Sequence, residues 1–297
     1  MIEISEFLQT ILLSLARYLL ILIVSYILTW LSFPYLYRLM VEGQLVRPNY
    51  REERIPAVAG LLFVVLLPLT TGLGMAFSVK SFTTVNAVLF LWVILGMGLI
   101  GFIDDVIGDH TQKGFKGHFR ALFKDKRLTT GGLKAFFGAV IALVFSIATA
   151  NLVKGKLEVW PVISNFLLVA LCANSLNLFD LRPGRAGKIF IAGFVIVLMF
   201  SQDFEVYTGL FVPILAIMLY YLPYDLKARV MMGDVGSNLL GASLGVMMAW
   251  MFSDLSKLIA IILLVILQLT AEKISFSKVI DQHRLLRSLD EIGRRQH

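Results

Sequence analysis

The sequence predicts an all-α polytopic membrane protein of about nine transmembrane helices, with its N-terminus outside and its C-terminus in the cytoplasm. Three observations predict it. The 297 residues are 58% hydrophobic and only 16% charged, with a mean hydropathy of +0.81. Nine stretches approach the ~20 apolar residues that a ~30 Å hydrocarbon core requires. Of the 27 Lys and Arg residues, 22 fall on one side of the resulting pattern and only 4 on the other, a strong positive-inside bias.

Taken in order, the stretches are 7–33, 56–78, 83–103, 133–153, 160–179, 188–202, 207–223, 238–253 and 257–273. The first is too long for a cleaved leader and has no basic segment ahead of it, so it is expected to remain as a helix. The sixth is short and needs flanking residues to span. Segments 34–55, 104–134, 181–188, 224–236 and 274–297 carry most of the Lys and Arg, and are expected inside. Residues 1–275 read as one integral domain. Residues 276–297 read as a cytoplasmic tail whose Ile280, Leu285, Leu286, Leu289 and Ile292 suit a basic amphipathic helix on the membrane surface. The net charge of +7 follows from this topology and suits anionic headgroups or phosphorylated substrates. Nucleic acid is a poor partner, since the basic residues are divided among loops with no folded module to organise them. Cys172 is the only cysteine and lies in an apolar span, which excludes an internal disulfide.

The acids fall in a pattern. From Val85 to Ile103 only Asn86 is strongly polar, and then Asp104 and Asp105 arrive together. Asp180 ends the fifth span in "CANSLNLFDLRPGRAGK", and Asp234 opens the eighth in "VMMGDVGSNLLG". An acid at a span end is often merely solvated. Four of them at the inner ends of three separate helices read instead as one wall of a site. Adjacent helical residues point ~100° apart, so Asp104 and Asp105 are expected to do different work. One would face a metal or nucleophile and the other a lysine or backbone partner. Magnesium takes oxygen ligands, and one or two carboxylates plus substrate phosphates hold it in such sites.

Three neighbouring features add to the wall. Asn174, Asn177 and Asp180 recur every three residues, and amides at lipid depth need partners, from another helix or from a substrate. The "MMGDVGSN" stretch starts a helix with glycines that allow close backbone approach and an N-terminus that favours anions. The basic segment after Asp105 contains Lys113, Lys116 and His118. The two lysines are candidate phosphate holders and His118 a candidate base.

These pieces, in this order, resemble the polyprenyl-phosphate N-acetylhexosamine-1-phosphate transferase family, of the glycosyltransferase family 4 type. "RIPAVAG" (54–60), "GFIDD" (101–105), "NSLNLFD" (174–180) and "MMGDVGS" (231–237) carry the resemblance, which covers residues 45–245. It implies that the phosphate of undecaprenyl or another polyprenyl phosphate attacks the sugar-linked phosphorus of a UDP-sugar, releasing UMP. It implies Mg2+ as cofactor, with Mn2+ an acceptable substitute. It further implies a location in a bacterial plasma membrane with the site facing the cytoplasm. Membrane lipid and the two substrates are the implied partners, and a homodimer is compatible with them. By the resemblance Asp104, Asp105 and Asp180 are catalytic, and Asp234 and Asp105 are metal ligands. Asn174, Asn177, Lys113, Lys116, His118, Arg182 and Arg185 bind substrate.

Three departures mark a divergent branch. After the fifth-span aspartate the family continues Gly-x-Asp-Gly, whereas this chain reads Leu181-Arg182-Pro183-Gly184-Arg185. An aromatic that stacks on the base aligns with Met231. The last cytoplasmic segment contains His283 in place of a histidine-rich motif. Two other readings compete: a polyprenyl-phosphate-binding relative without catalysis, and a transporter. The charge-poor span interiors and the lack of a repeat speak against the transporter.

Overall fold

The computed structural model describes residues 2–77, 83–108, 129–154, 158–202 and 204–294. They form a helical bundle with one small hairpin. The elements are α1 (Ile2–Glu42), β1 (Val46–Pro48), β2 (Arg54–Pro56), α2 (Leu61–Phe77), α3 (Thr84–Ile107), α4 (Thr130–Lys154), α5 (Val159–Phe179), α6 (Arg185–Met199), α7 (Phe204–Leu226), α8 (Gly233–Met251), α9 (Asp254–Lys273), α10 (Phe276–Gln282) and α11 (Arg284–Glu291). Each apolar stretch of the sequence lies mainly or wholly within one of the first nine helices. Six helices, α1, α3, α4, α5, α7 and α9, are long and apolar enough to cross a membrane by length and composition. The chain is therefore a multi-pass helical membrane protein.

The bundle is arranged around α8. Nearly every residue from Val235 to Met251 is buried, with α3 and α5 packed against it most extensively and α6 and α7 also in contact. A helix apolar on all faces belongs in a core. α9 is its opposite: only Lys257 and Ile261 are buried, while Leu255, Leu263, Ile266 and Leu269 face outward as a lipid-facing surface requires. Lipid removes the hydrophobic drive between spans, so close side-chain packing does the work. The rings of Phe90 and Phe211 meet edge-on at 5.4 Å, both fully buried. Asn86 is explained as a cap. Its Oδ1 accepts from the Thr83 N–H (3.1 Å) and Thr83 Oγ1 accepts from the Asn86 N–H (3.2 Å), closing a capping box at the start of α3.

The hairpin is the structure's addition to the all-α expectation. Its two antiparallel strands pair Val46 with Pro56 and Pro48 with Arg54. Asn49 holds the turn through its Oδ1, which accepts from the N–H groups of Arg51 (2.8 Å) and Glu53 (3.1 Å). Past the hairpin the backbone runs beside the segment before α8. Met231 N–H donates to Pro56 O (2.8 Å), Ala59 N–H to Met231 O (2.9 Å) and Gly60 N–H to Met232 O (2.9 Å). Two motifs far apart in sequence, 54–60 and 231–237, are thus joined through their main chains.

Candidate active site

The ends of α3, α5 and α7 and the start of α8 meet at one end of the bundle, beside the hairpin. Between them lies a cavity of about 290 Å³. Its lining includes Asp105, Asp180, Asp225 and Asp234, with Arg47 and Arg182 as the lining cations.

Asp104 and Asp105 divide their roles as the ~100° step between adjacent helical residues requires. Asp104 is buried and turns to α4, where Lys134 Nζ lies 2.8 Å from its Oδ2. The same ammonium also binds Asp234 Oδ2, so Lys134 bridges the third helix to the eighth. Asp105 turns into the cavity. Its Oδ2 accepts the Val235 N–H at 3.0 Å, in the first turn of α8, where free N–H groups and the helix dipole favour an anion. Its main-chain oxygen accepts from the Arg47 guanidinium.

Close approach at this junction depends on two glycines. Gly233 takes a φ of +72°, and a Cβ there would come within 2.6 Å of Asp105 Oδ2 and Ala57 O. At Gly101 a Cβ would fall 2.3 Å from Asp234 O, so only glycine lets α3 reach the start of α8.

Asp180 follows the last residue of α5. Burial, and then the charges of Asp225, Asp234 and Asp105, push its carboxyl well above the usual carboxylate range. Asp225 lies near the end of α7, 3% exposed. Among the described residues its Oδ2 meets no partner at strict hydrogen-bond geometry, while the Gly184 N–H and the Tyr221 hydroxyl one turn earlier lie near enough to stabilise its charge. A buried carboxylate in a cavity of like charge is costly unless something positive joins it.

The other sequence-predicted residues divide into three sets. Asn177 stays at the site's edge, its Oδ1 accepting from Ser237 Oγ at 3.0 Å. Arg182 lines the cavity but is paired with Asp281. Asn174 and Arg185 are directed elsewhere. Asn174 Nδ2 donates to Gln268 Oε1 (2.6 Å), joining α5 to α9, and Gln268 returns a bond to Ser175 Oγ (2.8 Å). Arg185 is buried against Asp290. Lys113, Lys116 and His118 lie outside the described residues.

Asp225, Lys134 and Arg47 were missed by the sequence reasoning. Asp225 obeys the very rule that selected the others, an acid at the end of an apolar span. Lys134 opens a span one helix after the aspartate pair. Arg47 offered no signal apart from its charge.

The donor set suits a hard cation. Its acids are carboxylates, hard oxygen donors, and burial together with the neighbouring acids raises the affinity of Asp180 for a proton. Among the described residues no three acidic, His or Cys side chains form a closed ligand group.

The family model for glycosyl transferase family 4 matches residues 87–252. Three phospho-N-acetylmuramoyl-pentapeptide-transferases are similar along most of the chain. That of Staphylococcus saprophyticus is 28% identical, over 92% of this chain and 89% of its own length. That of Limosilactobacillus fermentum is 30% identical, over 75% and 71%, and that of Thermotoga neapolitana 27%, over 75% and 72%.

Proposed function

The chain belongs to glycosyl transferase family 4, a phosphoglycosyl transferase family, and from that membership we propose that it moves a sugar-1-phosphate from a UDP-sugar to a polyprenyl phosphate. The sugar is an N-acetylhexosamine in this reading, and UMP is the leaving product. The observation that carries it is the convergence of Asp105, Asp180, Asp225 and Asp234, from four helix ends, on one cavity that also has Arg47 on its wall.

In this mechanism an oxygen of the polyprenyl phosphate attacks the sugar-linked phosphorus. A new P–O–P bond forms, and the bond to the UMP oxygen breaks. Phosphoryl-type transfer needs positioning and neutralised charge more than covalent help. Arg47 meets phosphate oxygens at the cavity wall. Asp105, oriented by the Val235 N–H and by Arg47 on its main chain, removes any proton that the attacking phosphate brings. Lys134 holds Asp104 and Asp234 at a fixed separation, and so sets the wall that Asp234 presents. Asp234 and Asp105 would hold Mg2+, with Asp180 and Asp225 beside it. A bound divalent ion would neutralise phosphate charge and align the two substrates. Lys113, Lys116 and His118 remain candidates for phosphate contact.

The topology that fits this reading has nine spans, an outer N-terminus and the cavity at the cytoplasmic face, supported by the 22-to-4 distribution of Lys and Arg. The carboxyl-terminal helices lie at the inner membrane surface, with Leu285, Leu289 and Ile292 turned outward and exposed.

The test is a screen of nucleotide-sugar donors with purified protein, undecaprenyl phosphate and Mg2+, read as UMP release. Release with one donor and none without Mg2+ is expected. Tight lipid-phosphate binding with no UMP from any donor would replace the reading with a non-catalytic binding protein.

A further inference from the structure

α10 and α11 fold back onto the turn that joins α5 to α6. Arg182 pairs with Asp281, 99 positions later, through two parallel bonds of 2.9 and 2.7 Å. Arg185, 2% exposed, grips Asp290 with bonds of 2.8 and 2.8 Å and gives a third N–H to Ser277 Oγ (2.9 Å). Arg294 holds the same carboxylate at 2.8 and 2.9 Å, and donates its Nε to Pro183 O at 2.7 Å. Lys188 donates to the carbonyls of Leu289, Asp290 and Ile292, capping the end of α11 where a cation is favoured. Phe179 stacks on Phe276 with ring centres 5.2 Å apart.

Residues 179, 182, 183, 185 and 188 are therefore each held by the C-terminal segment. This is the turn that brings Asp180 and Arg182 to the cavity. Leu226, next to Asp225, is packed between Gly184 and Gly293, so the same segment also backs that acid. The bonds are of the strong kind, bidentate and charge-assisted, and the central ones are buried. Burial opposes ionisation of Asp290, yet two guanidinium groups outweigh it and hold the carboxyl well below the usual carboxylate range.

We propose that residues 276–294 are a positioning clasp. In it Asp290, acting through Arg185 and Arg294, holds the 180–184 turn so that Asp180 faces the other carboxylates. Asp290 does not line the cavity, and it is a positioning residue. Its effect on donor binding rests on the transfer reaction proposed above; its effect on the turn does not.

The experiment compares full-length wild type, Asp290→Asn and Asp290→Glu in lipid nanodiscs. Hydrogen exchange reads the peptide 176–188, electron paramagnetic resonance reads Mn2+ affinity, and steady-state kinetics separate the two substrates. In Asp290→Asn, exchange at 176–188 is expected to quicken about tenfold. Its Mn2+ affinity is expected to fall about tenfold, because Asp180 would stand beside the ion that Asp105 and Asp234 hold and its charge supports that binding. The donor KM should rise while the acceptor KM stays near wild type, and Asp290→Glu should recover most of each change. Faster exchange confined to 276–294, with 176–188 and Mn2+ binding as in wild type, overturns the clasp. If wild type itself binds no Mn2+, the metal assignment fails and the exchange at 176–188 alone decides the clasp. Should Asp290→Asn not be recovered folded, Arg294→Gln removes one of the two guanidinium groups and the bond to Pro183 O while Arg185 keeps Asp290 paired. Faster exchange at 176–188 in that variant supports the clasp, and wild-type exchange there overturns it.

Discussion

The same end of the bundle carries two clusters of charge that are built in opposite ways. In the C-terminal clasp, Asp290 is surrounded by two guanidinium groups and both its oxygens are bonded. In the cavity, four carboxylates share a wall with Arg47 and Arg182; Asp234 is paired with Lys134 and Arg182 is already committed to Asp281, so acid outnumbers cation there. Among the described residues Asp225 Oδ2 meets no partner at strict hydrogen-bond geometry. Burial of an acid alone therefore distinguishes nothing here. The balance of charge is what differs: Asp290 is fully paired, whereas the cavity holds more acid than cation.

The sharpest way to break this comparison is to neutralise one acid in each cluster. Asp105→Asn or Asp234→Asn is expected to lower turnover about 10²–10³-fold, the size seen when one aligned electrostatic group is lost. The melting temperature in detergent should hardly move for Asp105→Asn, whereas Asp234→Asn also weakens the Lys134 bridge and should lower it modestly. UMP release and a thermal melt on the same preparation check both halves, and full turnover in the two variants would remove the cavity from the mechanism. Arg185→Ala should do the reverse. It leaves Asp290 buried with Arg294 as its remaining guanidinium, so the loss of stability should be clear but below the ~3–5 kcal/mol of an uncompensated buried charge. A melting curve that matches wild type would show the clasp to be ornamental.

Acidity separates the clusters further. Asp180 is pushed up, so protons compete for it at a higher pH than for an ordinary carboxylate of about 4. Without a cation, the folded state binds the extra proton, and Asp180's contribution to stability rises as pH falls through that raised range. With a cation the sign reverses for binding. The Mn2+ needed for half-saturation should climb as pH falls, by up to about tenfold per pH unit for one displaced proton. Titrations showing the same affinity from neutral to weakly acidic pH would contradict it. Asp290 is depressed, so the stability it contributes is fully present at neutral pH. That stability is lost only below the ordinary carboxylate range, as pH falls through the folded value.

The smallest effects sharpen the boundary. Arg182→Ala breaks an exposed pair worth about 0–1 kcal/mol, so its thermal shift should be slight. Asn174→Ala removes an interhelical bond of about 0.6 kcal/mol in membranes and should leave the donor KM unchanged. A large rise in that KM would bring Asn174 back among the substrate contacts.

Much of the bundle was legible because lipid imposes one rule, long apolar runs with polar groups at their ends. That rule located Asp104, Asp105, Asp180 and Asp234, and the cavity gathers three of them, with Asp104 joined to Asp234 through Lys134. It also admitted Asp225, which was passed over because no Asn or Gly motif surrounds it. The hairpin at 46–56 was not legible. Three-residue strands containing Pro48 and Pro56 show no alternation, and their pairing is set by the Asn49 side chain in the turn between them. The partners of Arg182 and Arg185 were out of reach for a different reason. A pairing across about a hundred residues leaves no local periodicity to read.

The sheathed position of α8 has a consequence for the membrane the protein occupies. A bilayer a few ångströms thicker or thinner strains the helices it touches, by fractions of a kcal/mol per Å, and they answer by tilting. α1 and α9 present most of their surface outward and take up that mismatch. α8, whose first turn holds Asp234, touches little but protein. Changes in acyl-chain length should therefore be absorbed at the periphery, leaving the spacing of the carboxylates the same from one lipid composition to the next.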